Sequence, residues 1–568
     1  MTKIDVTAHG LIGDGVTPNS EALAALLTTV GDDTTLFFPK GIYFFPTRVD
    51  FCDKKRLTVV GEDATLMTHF GPCEHPRMNN NLFAFYGCED VVISDFIVTT
   101  DNPIGWSGKV VAVNNEEHYY DVEIYEQFEV TGLEHPVALN SCDADGTPDY
   151  VFNGGKWRDA TTVTVDGKEV ERCAGFDYDV IGDHLCRFYV NPDANLSVLP
   201  VGEQMVYRFI VYGNTHFEFA KTHRVLMKNM ELYRSSSMGI VIAPRCSDFT
   251  LDHYNMRVKP GSKELYTANA DGIHILGLCG YLRMKHCHFV GLGDDTLNIH
   301  GSAGEIVEIR EDGTLDLQHR HRNGFSPLQK NWAIPGDVIE VYDSATFVRK
   351  GTFTVGDFVD GIATITASTG EYAVGDALAN TAYFAATHIS DCVGKNTRAR
   401  GFLLQTRDVI VEDSYIYGMS LPAIIVSPDI KVWFEVGPSD NVVIRNNVFE
   451  KVAIIPSAAN LGAIVAKGSH DSGAADYPAG VHRNMHIIGN KFINIGNSAI
   501  YVSATEGLEI RDNLFMSCSE KPYSPDAVSV RHDIATVNCN DVTVSGNTTT
   551  RGAETLYYAE NCERVTVE

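Results

Sequence analysis

The stretch Asn269–Gly301 reads NADGIHILGLCGYLRMKHCHFVGLGDDTLNIHG, and its internal spacing decides the fold. Two short alternating segments, Gly272-Ile273-His274-Ile275 and Thr296-Leu297-Asn298-Ile299, stand 24 residues apart. Asp271 precedes the first, and Asp294 and Asp295 precede the second. Between them lies a different phrase, Leu282, Met284, Cys287, Phe289: apolar, any, apolar, two of any, small or polar, any, apolar. Strand, turn, strand and return within two dozen residues, with apolar side chains alternating inward, is the pattern of a right-handed parallel β-helix. Rungs stacked about 4.8 Å apart would gather the three carboxylates into one small volume.

Outward from this stretch the phrase recurs. Its copies begin at Val225, Phe249, Leu282, Val409, Val442, Met485, Leu508, Val542 and Val565, at intervals of 24, 33, 127, 33, 43, 23, 34 and 23 residues. A base interval of 23 or 24 with variable additions marks a solenoid whose loops differ in length. A second short strand follows most copies, as in Gly239–Ile242, Ala423–Val426 and Ala499–Val502. A series of βαβ units would need 10- to 15-residue amphipathic helices between strands, and only one helix is predicted, over SEALAALLTTV. Ser20 is its expected N-cap, with Leu23, Leu26 and Leu27 on one face, placed to cover the open end of the stack. Asn447, Asn490, Asn513 and Asn547 share one register position, where side-chain amides can bond the turns of successive coils. Cys88, Cys246, Cys279, Cys539 and Cys562 each stand three residues before a repeat. Hydroxyls fill that place at Thr222, Thr406 and Ser439, so these cysteines read as packed thiols rather than disulfide or metal partners.

Two segments interrupt the repeat with hairpin chemistry, Asp-Gly and Asn-Pro turns between alternating runs. The expected fold class is therefore all-β: a right-handed parallel β-helix with two inserted antiparallel β-barrel or sandwich subdomains and a short N-terminal capping helix. The expected divisions are 1–106, cap and first coils; 107–215, first insertion; 216–301, coils with the aspartates; 302–395, second insertion; and 396–568, C-terminal coils. The second insertion leaves directly after His300 and is placed to wall one side of the site.

Composition narrows the function. The 568 residues hold 45 basic against 74 acidic side chains, a net charge of −29. Nucleic acid is excluded as a partner for want of a basic footprint, and a neutral partner such as an uncharged sugar fits better than a polyanion. No run of about 18 apolar residues appears, so no membrane span is expected. The first residues lack the pattern of a secretory signal, which points to the cytoplasm or to secretion after a signal has been removed; the free thiols mildly favour a reducing compartment. No His/Asp/Glu cluster outside the acidic stretch shows ligand spacing, so no metal or other cofactor is expected. A homo-oligomer is compatible with the sequence.

The chemistry sits in the aspartates. Glycoside hydrolysis needs one carboxylic acid to protonate the leaving oxygen and another carboxylate to attack or to activate water. Crowded carboxylates cannot all ionise freely, so at least one pKa should rise. Asp271 and Asp295 share a register and are suited to hold a water between them, while Asp294 projects differently, toward a glycosidic oxygen. His274 and Asn298 stack on the solvent side with His300 two residues on, in reach of sugar hydroxyls. The competing structural reading is that Asp-Gly and Gly-Asp-Asp merely form turns.

These residues carry a resemblance. NADG at 269–272, GLGDD at 291–295, IHG at 299–301, RARGFLLQT at 398–406 and SPDIKVWFEVG at 427–437 resemble glycoside hydrolase family 110. That family's members are exo-acting α-1,3-galactosidases that remove terminal galactose from blood-group-B-type and linear Galα1,3Gal structures. The resemblance implies an inverting mechanism with Asp271, Asp294 and Asp295 as the catalytic carboxylates. The triplet is also similar to that of polygalacturonases, which implies Asp294 as the acid and the other two as holders of the water. Read physically, Trp433 offers a platform for a sugar face, Asp429 and Glu435 accept hydroxyl bonds, and Arg398 or Arg400 donates them. A polygalacturonase-like hydrolase or lyase and a non-catalytic glycan-binding β-helix are the alternatives.

Overall fold

The structure, a computed structural model, describes residues 2–69, 81–165, 168–321, 324–430, 432–455, 460–469, 477–519 and 529–568. Strands dominate, and those of the repeat stack in parallel. Phe217–Ala220, Ile240–Ile242, Ile273–Leu276, Leu297–Ser302, Phe402–Leu404, Ile424–Val426, Gly462–Ala466 and Ser498–Ser503 pair in that order along one wall. Long strands such as His223–Leu232 and Cys246–Met256 lay the opposite side. Val225 stacks on Phe249 and Phe249 on Leu282, as the repeat predicts.

A left-handed residue marks the bend between the two halves of each phrase. Asn229, His253, His286, Asp391, Asp413 and Asn446 take φ values of 51–57°, a region that Asn and Asp tolerate better than most residues. The position that follows holds the asparagine ladder. The Asn447 N–H donates to Asn490 Oδ1 at 2.9 Å, the Asn490 N–H to Asn513 Oδ1 at 2.9 Å, and the Asn513 N–H to Asn547 Oδ1 at 3.0 Å. Each amide nitrogen also reaches back to a backbone carbonyl, Asn490 to that of Ile444. All five cysteines of the other column are free thiols. Inside, Phe449, Phe492 and Phe515 stack at 5.1 and 5.2 Å between centroids.

The 127-residue interval hides a rung. Leu282 pairs with Thr387, and Thr387 pairs with Val409, so strands Ala386–Ser390 and Val393–Lys395 are coils of the helix rather than insertion. Thr387 stands where the repeat calls for a hydrocarbon, and its hydroxyl is satisfied by the Ala385 carbonyl at 3.1 Å.

Helix α1, Ser20–Thr29, buries Leu23, Leu26 and Leu27 over the first coils. Ser20 is not its N-cap. Asn19 holds that place without a side-chain capping bond, because its Oδ1 accepts from the Ile12 N–H at 2.7 Å; the Ser20 hydroxyl donates instead to the Thr47 carbonyl. The first insertion is a six-stranded antiparallel sheet in the order Ala138–Cys142, Gln204–Arg208, Gly105–Asn114, Tyr119–Ile124, Leu185–Tyr189, Tyr178–Gly182. The second is a closed antiparallel barrel. Gly304–Ile309 pairs with both Ala377–Asn380 and Leu315–His321, and Val338–Tyr342, Arg349–Val359 and Ile362–Gly370 complete the circuit. No helix of the described residues is long and apolar enough to cross a membrane.

Candidate active site

Stacking builds the site. Ile273 pairs with Leu297 and Leu297 with Phe402, so Asp271, Asp295 and Arg400, each two residues earlier, form one column. In this column a carboxylate accepts the backbone N–H of the next rung: Asp295 N–H to Asp271 Oδ1 at 3.1 Å, then Arg400 N–H to Asp295 Oδ1 at 3.0 Å. The Arg400 Nε adds a charge-assisted bond to the same oxygen at 2.8 Å. Two glycines allow the turns to approach so closely. A Cβ on Gly272 would lie 2.7 Å from the Thr296 carbonyl oxygen, and one on Gly293 2.4 Å from that of Asn269. Asp271, Asp294 and Asp295 each present an oxygen within 4.8 Å of the others.

Burial sets the electrostatics. It raises the Asp271 pKa, opposed by a 2.6 Å bond from His274 Nδ1 and assisted by the charge of Asp294. Burial pushes Asp295 up to about 7; Arg400 opposes the rise, and the charges of Asp294 and Asp271 add to it. Burial also disfavours a charged His274, but its bond to Asp271 and the charges of Asp271, Glu435 and Asp295 together outweigh that and raise its pKa. A chain continues behind it: His274 Nε2 lies 3.4 Å from His300 Nε2, which lies 3.5 Å from Glu435 Oε1, and Gln405 Nε2 donates to Glu435 Oε2 at 3.1 Å. Desolvation lowers His300, while the neighbouring His300, His274 and Arg400 hold Glu435 below the usual carboxylate range despite its burial.

The three aspartates line one cavity of about 390 Å³ together with His274, Asn298, His300, Arg400, Asp429, Trp433 and Glu435, a volume within the span of small-molecule sites. Arg398 is not on the wall. It stands behind Asp294, with Nη2 3.3 Å from Asp294 Oδ1 and Nη1 donating to the Tyr150 hydroxyl at 2.6 Å. Asp429 and Glu435 close a hairpin by mutual backbone bonds, and Asp429 Oδ1 caps it by accepting from the Val432 N–H. Lys431 of the quoted 427–437 stretch lies outside the described residues. That hairpin pairs with Gly301 and Ser302 and holds Trp433 at the mouth, 57% exposed.

Several lining residues escaped the sequence reading, Gln405 and Tyr212 among them. Gln405 sits in register beside His300, its N–H bonded to the Ile299 carbonyl at 2.9 Å, so extending the Leu276–His300 register by one rung would have found it. Tyr212, whose hydroxyl donates to Asp294 Oδ2 at 3.4 Å, arrives from beyond the first inserted sheet and carries no periodic signal. Stacking also assembles a cluster outside the site that spacing alone did not reveal: Asp252, His253 and His286 present ligand-type atoms within 4.8 Å of one another on the outer turns. In the acidic triad, Arg398, Arg400 and His274 already supply cationic or hydrogen-bonding partners.

Fold and site together define a parallel β-helix protein with three carboxylates gathered in one pocket. The resemblance read from its motifs is borne out by relatives named alpha-1,3-galactosidase A. One from Bacteroides thetaiotaomicron is 29% identical over 57% of this chain and 55% of its own length. One from Shewanella woodyi is 24% identical over 91% of this chain and 87% of its own. The chain thus spans about half the length of the first relative. No protein-family model matches the chain. Similar solved structures include the family 28 exopolygalacturonase of Yersinia enterocolitica, 10% identical over 99% of this chain and 78% of that one, with a TM-score of 0.43. A surface adhesin of Streptococcus pneumoniae is 12% identical over the whole of this chain and 89% of that one, with a TM-score of 0.41.

Proposed function

We propose that this protein is an exo-acting glycoside hydrolase that releases terminal α-1,3-linked galactose with inversion of configuration. The observation that carries the reading is the convergence of three carboxylates on one pocket, two of them buried so that they favour the proton. A carboxylate with raised proton affinity is a better base toward water at neutral pH. Asp271 and Asp295, on adjacent rungs, hold and deprotonate the attacking water. Asp294, the partly exposed member, delivers a proton to the glycosidic oxygen. Carboxylate separations of about 5–5.5 Å accompany retention more often than inversion; the inverting reading rests instead on a third carboxylate in the pocket, which lets two hold the water while one serves as acid.

The relatives' names support the α-1,3-galactoside as substrate. Pocket chemistry supports a neutral sugar: among the described lining residues Arg400 is the one guanidinium or ammonium group, and it is committed to Asp295. A uronate carboxylate would meet three aspartates there and no free cation. The His274–His300–Glu435 chain and Trp433 supply hydroxyl partners and an apolar face.

A panel of Galα1,3Gal, branched blood-group-B trisaccharide, an aryl α-galactoside and pectate tests the reading, with the product anomer followed by proton NMR. Release of β-galactose from the first substrates and none from pectate is expected. Initial α-galactose would overturn inversion, and turnover of pectate alone would overturn the substrate. Asp294→Asn should lower kcat about 10²–10⁴-fold on Galα1,3Gal and far less on an aryl substrate whose leaving group needs no proton.

A further inference from the structure

The first insertion brings three side chains, Arg208 from its sheet and Tyr150 and Tyr212 from the segments around it, to the surroundings of Asp294. Arg208 closes the strand Gln204–Arg208 and is 6% exposed. Among the described residues it has no carboxylate within ion-pair distance. Its Nη1 donates to the Asn269 carbonyl at 2.8 Å and to the Gly293 carbonyl at 3.3 Å. Those two carbonyls lie two residues before Asp271 and one before Asp294, so one guanidinium staples both acidic turns. A buried cation without a paired anion is costly: burial and the neighbouring Arg398 disfavour the charge on Arg208, and Asp294 is the member of the acidic triad that favours it. Tyr212, four residues on, donates its hydroxyl to Asp294 Oδ2. Burial first, then the charges of Asp294 and Asp271, push that phenol up to about 12, which keeps it a donor. Tyr150 acts from the other side, accepting from Arg398 Nη1 at 2.6 Å, while Arg398 donates to the Gly293 carbonyl and pairs with Asp294 Oδ1.

We propose that the first inserted subdomain is part of the catalytic unit: Arg208 and Tyr212, with Tyr150 acting through Arg398, are positioning residues that hold Asp294 in place relative to Asp271. This rests on the hydrolase reading for the consequence of misplacing Asp294, but the coupling itself does not. Asp294 is the least buried of the three aspartates, and the rung column that fixes Asp271 and Asp295 gives it no backbone partner. The insertion supplies what the column lacks.

The test pairs kinetics with a thermal double-mutant cycle on the full chain. Tyr212→Phe removes a half-exposed hydroxyl and leaves the fold intact. It should lower kcat on Galα1,3Gal about 10-fold, leave KM within about 2-fold, and change turnover of an aryl galactoside by less than about 3-fold. Arg208→Lys keeps the charge but cannot bridge two carbonyls in the same geometry, and should lower kcat further with the same substrate dependence. In the cycle, the Tm shifts of Tyr212→Phe and Asp294→Asn should be non-additive. Additive shifts together with wild-type kcat on both substrates would overturn the proposal. Should the wild type hydrolyse no galactoside, the hydrolase reading falls, and the cycle still decides whether the insertion holds Asp294. Should Arg208→Lys fail to fold, Tyr212→Phe decides alone.

Discussion

Asp295 is a carboxyl placed where an ion is poorly solvated, and its stability signature follows. Its folded pKa of about 7 lies above the ordinary carboxylate value of 3.8. The stabilisation it offers is therefore complete below the unfolded value and is lost as pH rises through about 7. Asp295→Asn keeps the acceptor for both Arg400 donors and removes the titration. The variant should be inactive, yet melt several degrees above wild type at pH 8, with the advantage shrinking toward pH 4. An unchanged difference across that range in differential scanning fluorimetry would show that Asp295 is not the group that titrates. Such residues were legible in the sequence because each acid stood at a fixed distance before an alternating strand. Tyr212 and Arg208 were not, since their places depend on how an inserted sheet leans against the solenoid, which no periodicity encodes.

Rungs owe their precision to the turn asparagines. Asn490 is fully buried, receives the Asn447 N–H, and donates to the Ile444 carbonyl. Asn490→Ala strands those backbone groups away from water, at about 1–3 kcal/mol for each group left unsatisfied. Urea unfolding should show a lower midpoint by an amount of that order, whereas Asn547→Ala, nearer the end of the ladder and partly exposed, should cost less. The ladder itself was readable as a recurring residue at one register. The rung at Ala386–Ser390 was not, because Thr387 and Gly394 occupy places where the pattern asks for bulk. Periodicity fails there for a physical reason: a threonine whose hydroxyl bonds its own turn buries as well as valine, and nothing in composition announces the exchange.

Taken whole, the molecule is a spiral covered at its N-terminal end, with an inserted sheet and an inserted barrel. The N-terminal edge strand Thr2–Asp5 pairs with Thr34–Phe38, and the helix over Leu23, Leu26 and Leu27 packs on the apolar interior beside it. Leu23→Asp should dislodge that cover, since an unpaired buried charge is not tolerated, and expose strand edges that template association. Light scattering on warming should then rise well before the spiral melts; scattering unchanged from wild type up to the melting temperature would show that the helix is dispensable. Fold class was the most legible feature because the solenoid repeats its instruction many times, whereas each insertion states its own shape once.

The column of Asp271, Asp295 and Arg400 has a consequence for how such a pocket can change. Its members belong to successive turns of a screw, so a group transferred to a neighbouring turn moves by a whole pitch and never by a fraction. The floor of the cleft behaves like the teeth of a rack, adjustable only in notches. Fine adjustment is left to the rim, where the Trp433 hairpin, the barrel and the segment bearing Tyr212 can lengthen, tilt or be exchanged without disturbing the teeth.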